Sequence, residues 1–229
     1  MSSLTAVLVH GAGHDAGVWT RTQACMRYRS LAVDLPGRRT RPSDVTRVTP
    51  HQAAQSVVAD IEASVVGNLV LVGHSVAGVI IPRVAARLGP RAGHLVFIAG
   101  VVAAHGVRPL DLFMPGQSTA VRAELEDFRQ VHRGKTLEML PRGIAARIDA
   151  FNLTSEPISW DGVRPDVGRT YVRCLGDRSQ SRSLQQTFVA GSGATRVVDI
   201  DAGHTPAVDA PAALAALLDR IIESLEIAR

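Results

Sequence analysis

The chain has 229 residues, 46% apolar and 20% charged, with a formal net charge of +4. This balance excludes a disordered or low-complexity protein, and no apolar run nears the ~20 residues a membrane-crossing helix needs. Arginine carries nearly all the positive charge (Lys135 is the only lysine), scattered apart from a small cluster at Arg38, Arg39 and Arg41; this reads as a solvated surface, and no nucleic-acid partner is expected.

The start, M-S-S-L-T-A-V-L-V-H, has neither a basic segment nor a cleavage signal and enters a strand at once. A cytoplasmic location with no membrane partner is therefore expected. The first strand is predicted over Ala6–His10, followed by a helix around Trp19–Met26 and a strand over Ser30–Asp34. A helix over Pro50–Val65 leads to a strand over Leu69–Val72, a helix over Val76–Leu88 and a strand over Leu95–Ala99. After an interval come strands over Thr170–Leu175 and Arg196–Ile200, with helices over Ser181–Ala190 and Pro211–Ala228. Most of the strands are continuous apolar runs rather than alternating ones, so both sheet faces should be covered. Repeated strand–helix units predict an α/β fold: a mostly parallel, doubly wound sheet of about six strands.

The interval between Ala99 and Thr170 breaks this rhythm. It carries helical patterns at Ser118–Arg133 and Pro141–Phe151 and many of the bulky side chains, among them Phe113, Met114, Phe128, Met139 and Trp160. It is expected to be a helical cap insertion over residues 103–169, covering a pocket at the C-terminal edge of a core formed by 1–102 and 170–229. The two cysteines, Cys25 and Cys174, stand far apart and outside any C-x-x-C pair, which suits neither a disulfide framework nor a zinc site. Cys174, in Y-V-R-C-L, is expected to be a small buried hydrophobe.

In an open parallel sheet, ligands bind beyond the C-terminal strand ends. Three of those ends carry Ser75 in G-H-S-V-A-G, Asp177 in G-D-R-S, and His204 in D-A-G-H-T-P. A serine hydroxyl is a weak nucleophile unless an imidazole takes its proton, and the imidazole needs a carboxylate to fix its tautomer and balance its charge. Small neighbours, Gly73, Ala77 and Gly78, permit a sharp turn that lifts the hydroxyl above the sheet. The helix that follows aims backbone N–H groups at a developing oxyanion. Val76 is the natural first donor. The loop His10-Gly11-Ala12-Gly13-His14 should supply a second from Ala12. Asp199 and Asp201 lie nearer His204 in sequence, but Asp199 should point along its own strand and Asp201 precedes the histidine turn. Asp34, in V-D-L-P-G, is expected to organise its loop, His74 to pack under the serine turn, and Trp19 to pack the first helix.

The blocks H-G-A-G-H-D-A-G-V-W, D-L-P-G-R, G-H-S-V-A-G and A-G-H-T-P-A-V-D-A-P, in this order, resemble the α/β-hydrolase superfamily. They are most similar to the branch that holds plant methylesterases, hydroxynitrile lyases and small bacterial esterase-like proteins. The resemblance covers nearly the whole chain. It implies Ser75 as nucleophile, His204 as base, Asp177 as orienting acid, and backbone donors at Ala12 and Val76. Two departures stand out. The usual G-x-S-x-G ends here in Ala77, and where lyases of this branch have a threonine and a post-histidine lysine, this chain has Gly11 and Thr205. The expected activity is therefore cofactor-free and metal-free serine hydrolysis of a small, mostly apolar ester or lactone, with short acyl chains preferred. A lyase reaction and a catalytically idle binding protein are the alternatives. Candidate substrate contacts are Gly11, His14, Phe113, Met114, Phe128, Met139, Trp160 and Thr205, and the protein is expected to be a monomer or homodimer.

Overall fold

The computed structural model describes residues 4–38, 40–113, 115 and 118–227. Strands β1 (Thr5–Val9), β2 (Ser30–Val33), β3 (Leu69–His74), β4 (Ala92–Ile98), β5 (Gly168–Cys174) and β6 (Arg196–Ile200) form one sheet in the order β2-β1-β3-β4-β5-β6. Every pairing is parallel. The helices are α1 (Thr20–Cys25), α2 (Pro50–Ser64), α3 (Ile81–Leu88), α4 (Pro109–Phe113), α5 (Ser118–His132), α6 (Arg142–Thr154), α7 (Arg182–Ser192), α8 (Pro206–Asp209) and α9 (Pro211–Ile227). Among the described residues, no helix is long and apolar enough to cross a membrane.

Successive side chains of a strand point to opposite faces, and here both faces are apolar and both are covered. Val7, Leu69, Leu71, Leu95, Phe97 and Tyr171 pack with Ala53, Val57 and Ile61 of α2, Val84 of α3 and Phe188 of α7. Leu8, Val70, Val72, Val96, Ile98 and Val172 face the other way, onto Leu214, Leu218 and Ile221 of α9 and onto Trp19. This explains why the strands read as unbroken apolar runs. Local signals set the helix starts. Thr49 caps α2 in a reciprocal capping box with Gln52, and Ser181 caps α7, which ends at Gly193 in the left-handed region.

The chain direction across the sheet reverses at β1 and β3, so the loops leaving these two strands flank a crevice. The helix expected from Val76 begins differently: a tight 3-10 turn over Ser75–Val79 comes first, and α3 starts only at Ile81. Pro82 in the first turn of α3 suits a start there, where its missing N–H is no loss. Between β4 and β5 the chain leaves the sheet through α4, α5 and α6. This region builds two small apolar clusters, one of Leu110, Leu125 and Phe151 and one of Leu137 and Leu140, from the turn between α5 and α6, with Ala145, Ile148 and Val45. Backbone hydrogen bonds tie this region to the loop after β2, from Leu137 N to Gly37 O at 2.8 Å and from Val45 N to Lys135 O at 3.0 Å.

The reading of the arginine cluster as solvated needs correction at Arg38. Its side chain is 1% exposed and paired with the equally buried Asp149 of α6. Arg41 is paired with Asp60, and Arg39 lies outside the described residues. Net charge and spacing carry no information about a carboxylate that is distant in sequence, so the burial of one arginine was not visible in the pattern. Both cysteines are free, Cys25 exposed and Cys174 buried.

Candidate active site

Ser75 leaves β3 with φ of 53°, in the left-handed region that a non-glycine residue enters only under constraint. The constraint is visible. The Ser75 carbonyl accepts a hydrogen bond from Val101 N at 2.8 Å, and a Cβ on Gly78 would lie 2.7 Å from the Val101 carbonyl. The turn therefore packs onto the segment that leaves β4 through a position only glycine fits. On its other side a Cβ on Gly11 would lie 2.7 Å from Nδ1 of His74 and 3.1 Å from Cβ of Ser75. The loop after β1 thus meets the serine turn backbone-first.

Ser75 Oγ stands 3.0 Å from Nε2 of His204, and Nδ1 of His204 stands 2.7 Å from Oδ2 of Asp177. An ionised carboxylate only accepts, so Nδ1 carries the proton and donates it, leaving Nε2 to accept from the serine hydroxyl. The Asp177 side chain is fully buried. Its Oδ1 accepts from the backbone N–H groups of Ser179 at 2.7 Å and Gln180 at 2.9 Å. Burial by itself would raise the Asp177 pKa, but the hydrogen bonds with His204, Gln180 and Ser179 and the charge of His204 outweigh it and hold the carboxyl below its ordinary range. Asp199 instead pairs with Arg173 at 2.7 Å, and Asp201 is exposed.

Two further histidines act as fixed polar struts. Nε2 of His74 donates to the His204 carbonyl at 2.7 Å. Burial, then the neighbouring His204, lowers the His74 pKa to about 3, so the ring stays neutral. Nδ1 of His10 donates to the Gly11 carbonyl at 2.9 Å, and its Nε2 accepts from Leu35 N at 3.2 Å. Burial and the nearby Arg38 lower the His10 pKa as well. Asp34 accepts from Ala16 N at 2.6 Å and from Thr40, organising its loop as expected from its position.

A cavity of about 470 Å³ opens over these groups. Ala12, Ser75, Val76 and His204 lie at its base, and Leu110, Phe113, Leu125 and Phe151 form apolar walls. Val76 sits in the first turn after Ser75, where backbone N–H groups have no partner within the helix. Of the sequence-derived contacts, His14 and Phe113 line this cavity. Gly11 abuts the serine turn without lining the cavity, and Thr205 stands at the N-cap position of α8 with no side-chain capping bond. Phe128 turns toward His132, with ring centroids 4.6 Å apart. Met139 is 66% exposed. Trp160 packs edge-on against Phe97 and donates to the Ala103 carbonyl at 3.1 Å. Gly11, Phe128, Met139, Trp160 and Thr205 are thus not among the residues that line this cavity, and Met114 lies outside the described residues. Sequence reasoning missed Leu110, Leu125, Phe151 and Gln180. A helical period shows which face of α5 or α6 is apolar, but not whether that face meets protein or cavity.

The pattern of the alpha/beta hydrolase family matches residues 6–217, and the chain belongs to this family. Among curated relatives, a carbendazim hydrolyzing esterase from Nocardioides sp. (strain SG-4G) is 35% identical over 105 residues, covering 44% of this chain and 43% of that protein. A probable esterase, PIR7A, from Oryza sativa subsp. indica is 25% identical over 94% of this chain and 95% of its own length. An extracellular α/β-hydrolase from a Paenibacillus species superposes with a TM-score of 0.76 at 20% identity, covering 95% of this chain and 98% of that one. That likeness establishes the shared fold.

Proposed function

We propose that the chain is a cofactor-independent serine hydrolase that cleaves a small, mostly apolar carboxylic ester or lactone through an acyl-enzyme on Ser75. The observation that carries this reading is the unbroken line from Ser75 Oγ through His204 to the buried Asp177 carboxylate, at 3.0 and 2.7 Å, on the floor of an apolar-walled cavity. Ser75 Oγ attacks the ester carbonyl while its proton passes to Nε2 of His204. The tetrahedral oxyanion is held by the backbone N–H groups of Ala12 and Val76. His204 then gives its proton to the departing alkoxide, and the acyl group remains on Ser75. In the second half His204 takes a proton from water, the resulting hydroxide attacks the acyl-enzyme, and Ser75 leaves with that proton. Asp177 stays ionised throughout and balances the imidazolium.

The cavity falls within the ~300–1,000 Å³ usual for small-molecule sites, and its walls favour an apolar acyl or alcohol group. The esterase names of the relatives point the same way. Hydrolysis is favoured over the lyase reaction of the resembling branch. The Gly11 position has no room for a side chain, and Thr205 rather than a cation follows the histidine.

The test is a panel of p-nitrophenyl esters of graded chain length, with Ser75→Ala as control and intact-mass detection of an acyl adduct. Turnover on short chains, lost in Ser75→Ala and accompanied by an adduct mapping to Ser75, is expected. Turnover that survives Ser75→Ala would overturn the reading.

A further inference from the structure

The buried pair between Arg38 and Asp149 lies outside the proton line, yet both partners reach the loop that carries Ala12. Arg38 grips Asp149 with both terminal nitrogens, at 3.2 Å to Oδ1 and 2.5 Å to Oδ2. Asp149 Oδ2 also accepts from Gly13 N at 2.9 Å. Arg38 Nε donates to the His14 carbonyl at 3.0 Å and Nη1 to the Pro36 carbonyl at 2.9 Å. Ala12 therefore sits between two pinned peptides: the Gly11 carbonyl is held by His10, and the Gly13 N–H by Asp149. A second contact joins the same parts. Gly13 has φ of 70°, and a Cβ there would lie 2.8 Å from Cβ of Ala146, so α6 presses directly on the loop.

A buried ion pair is a poor source of net stability, because desolvation offsets the attraction and apolar isosteres often do as well. Its geometry, in contrast, is demanding. We infer that Asp149 is a positioning residue. Clamped with Arg38, it locks the Ala12 N–H in place from the α6 side, so that the cavity wall and one oxyanion donor move as a single body. Ala146, Ala150 and Phe151 of α6 line the cavity. A substrate too bulky for it therefore displaces α6, pulls the Gly13 amide, and misaligns the donor. Specificity is then expressed in the chemical step as well as in binding. This rests on the hydrolase reading above.

The experiment compares wild type, the apolar double variant Arg38→Met/Asp149→Leu, and Asp149→Asn, in the full chain. The readouts are kcat and KM on a short p-nitrophenyl ester, thermal midpoints, and amide hydrogen exchange at Gly13. The double variant removes the clamp without stranding a charge. Its kcat is expected to fall about 10- to 100-fold, less than the ~10²–10³ for outright removal of an oxyanion donor, with KM within threefold and Gly13 exchange at least tenfold faster. Asp149→Asn keeps an acceptor for Gly13 but leaves the buried Arg38 charge unpaired, so its thermal midpoint should fall; while folded with Gly13 protected its kcat should fall less than about tenfold, and a 100-fold loss with unchanged Gly13 protection overturns the inference. A folded double variant with wild-type kcat, or with unchanged Gly13 exchange, overturns it too. If wild type shows no Ser75-dependent turnover, the hydrolase reading fails separately, and the exchange comparison still decides whether the clamp exists.

Discussion

Replacing Asp177 by Asn tests the proton line most directly. The amide oxygen retains the hydrogen bonds from Ser179 N and Gln180 N, which turns the NH₂ group toward His204. That group donates to Nδ1, drives the ring proton to Nε2, and leaves no acceptor for the serine hydroxyl. The charge balance is lost as well. At 2.7 Å, a full charge pair in an effective dielectric of ~20 is worth about 6 kcal/mol. The His204 side chain is 23% exposed and the imidazolium charge is spread over the ring, so ~3–5 kcal/mol of transition-state stabilisation is expected to go. At 1.36 kcal/mol per decade, kcat should fall about 10²–10⁴-fold. KM should hardly move, since Asp177 is not among the residues lining the cavity. Steady-state kinetics on a short p-nitrophenyl ester, with a thermal melt to show that the variant is folded, decide the matter. A folded variant whose kcat lies within fivefold of wild type refutes the assignment of Asp177.

Three further outcomes follow from the same structure. Gly11→Ala places a methyl 2.7 Å from Nδ1 of His74 and 3.1 Å from Cβ of Ser75; overpacking of this kind costs about 1–3 kcal/mol, and kcat should drop more than tenfold, so an unaltered rate would show that the loop gives way freely. Acid should destabilise the fold apart from any effect on activity. His74 and His94 are held neutral by burial, with pKa values lowered from 6.5 to about 3 and about 4. The unfolded chain takes up protons on these rings below pH ~6.5 while the folded chain does not, so stability is full above that value and is lost as the pH falls toward 3–4. At pH 4.5 each ring removes about 2–3 kcal/mol, from roughly two pKa units at 1.36 kcal/mol each; urea midpoints at pH 7 and 4.5 measure this, and His94→Gln should flatten the dependence by about one proton. Finally, an aromatic disulfide reagent should modify one thiol of the native protein, the exposed Cys25, and two after denaturation, because Cys174 is buried and its pKa is raised by burial to about 12.

Much of the architecture was legible because local physics writes it into short stretches. Unbroken apolar runs mark strands covered on both faces, Thr49 with Gln52 marks the start of α2, and Gly193 marks the end of α7. The loops carrying Ser75, Asp177 and His204 were legible for the same reason: each follows a strand, and chain order together with small flanking residues singles them out. The 3-10 start of the helix after Ser75 was not legible, since it follows from packing of the serine turn against Val101.

By itself, then, the sequence determined the parallel layered sheet, the crevice at its C-terminal edge and the residue types brought to that edge, because strand period, caps and tight turns depend on neighbours within a few positions. Only the tertiary structure decided that the imidazole of residue 204 falls between a hydroxyl 129 residues before it and a carboxylate 27 residues before it. It alone decided that Phe151 faces the cavity while Trp160 packs on Phe97, and that Arg38 is buried against Asp149, 111 residues further on. Such pairings depend on where whole elements come to rest against one another, which no local pattern encodes.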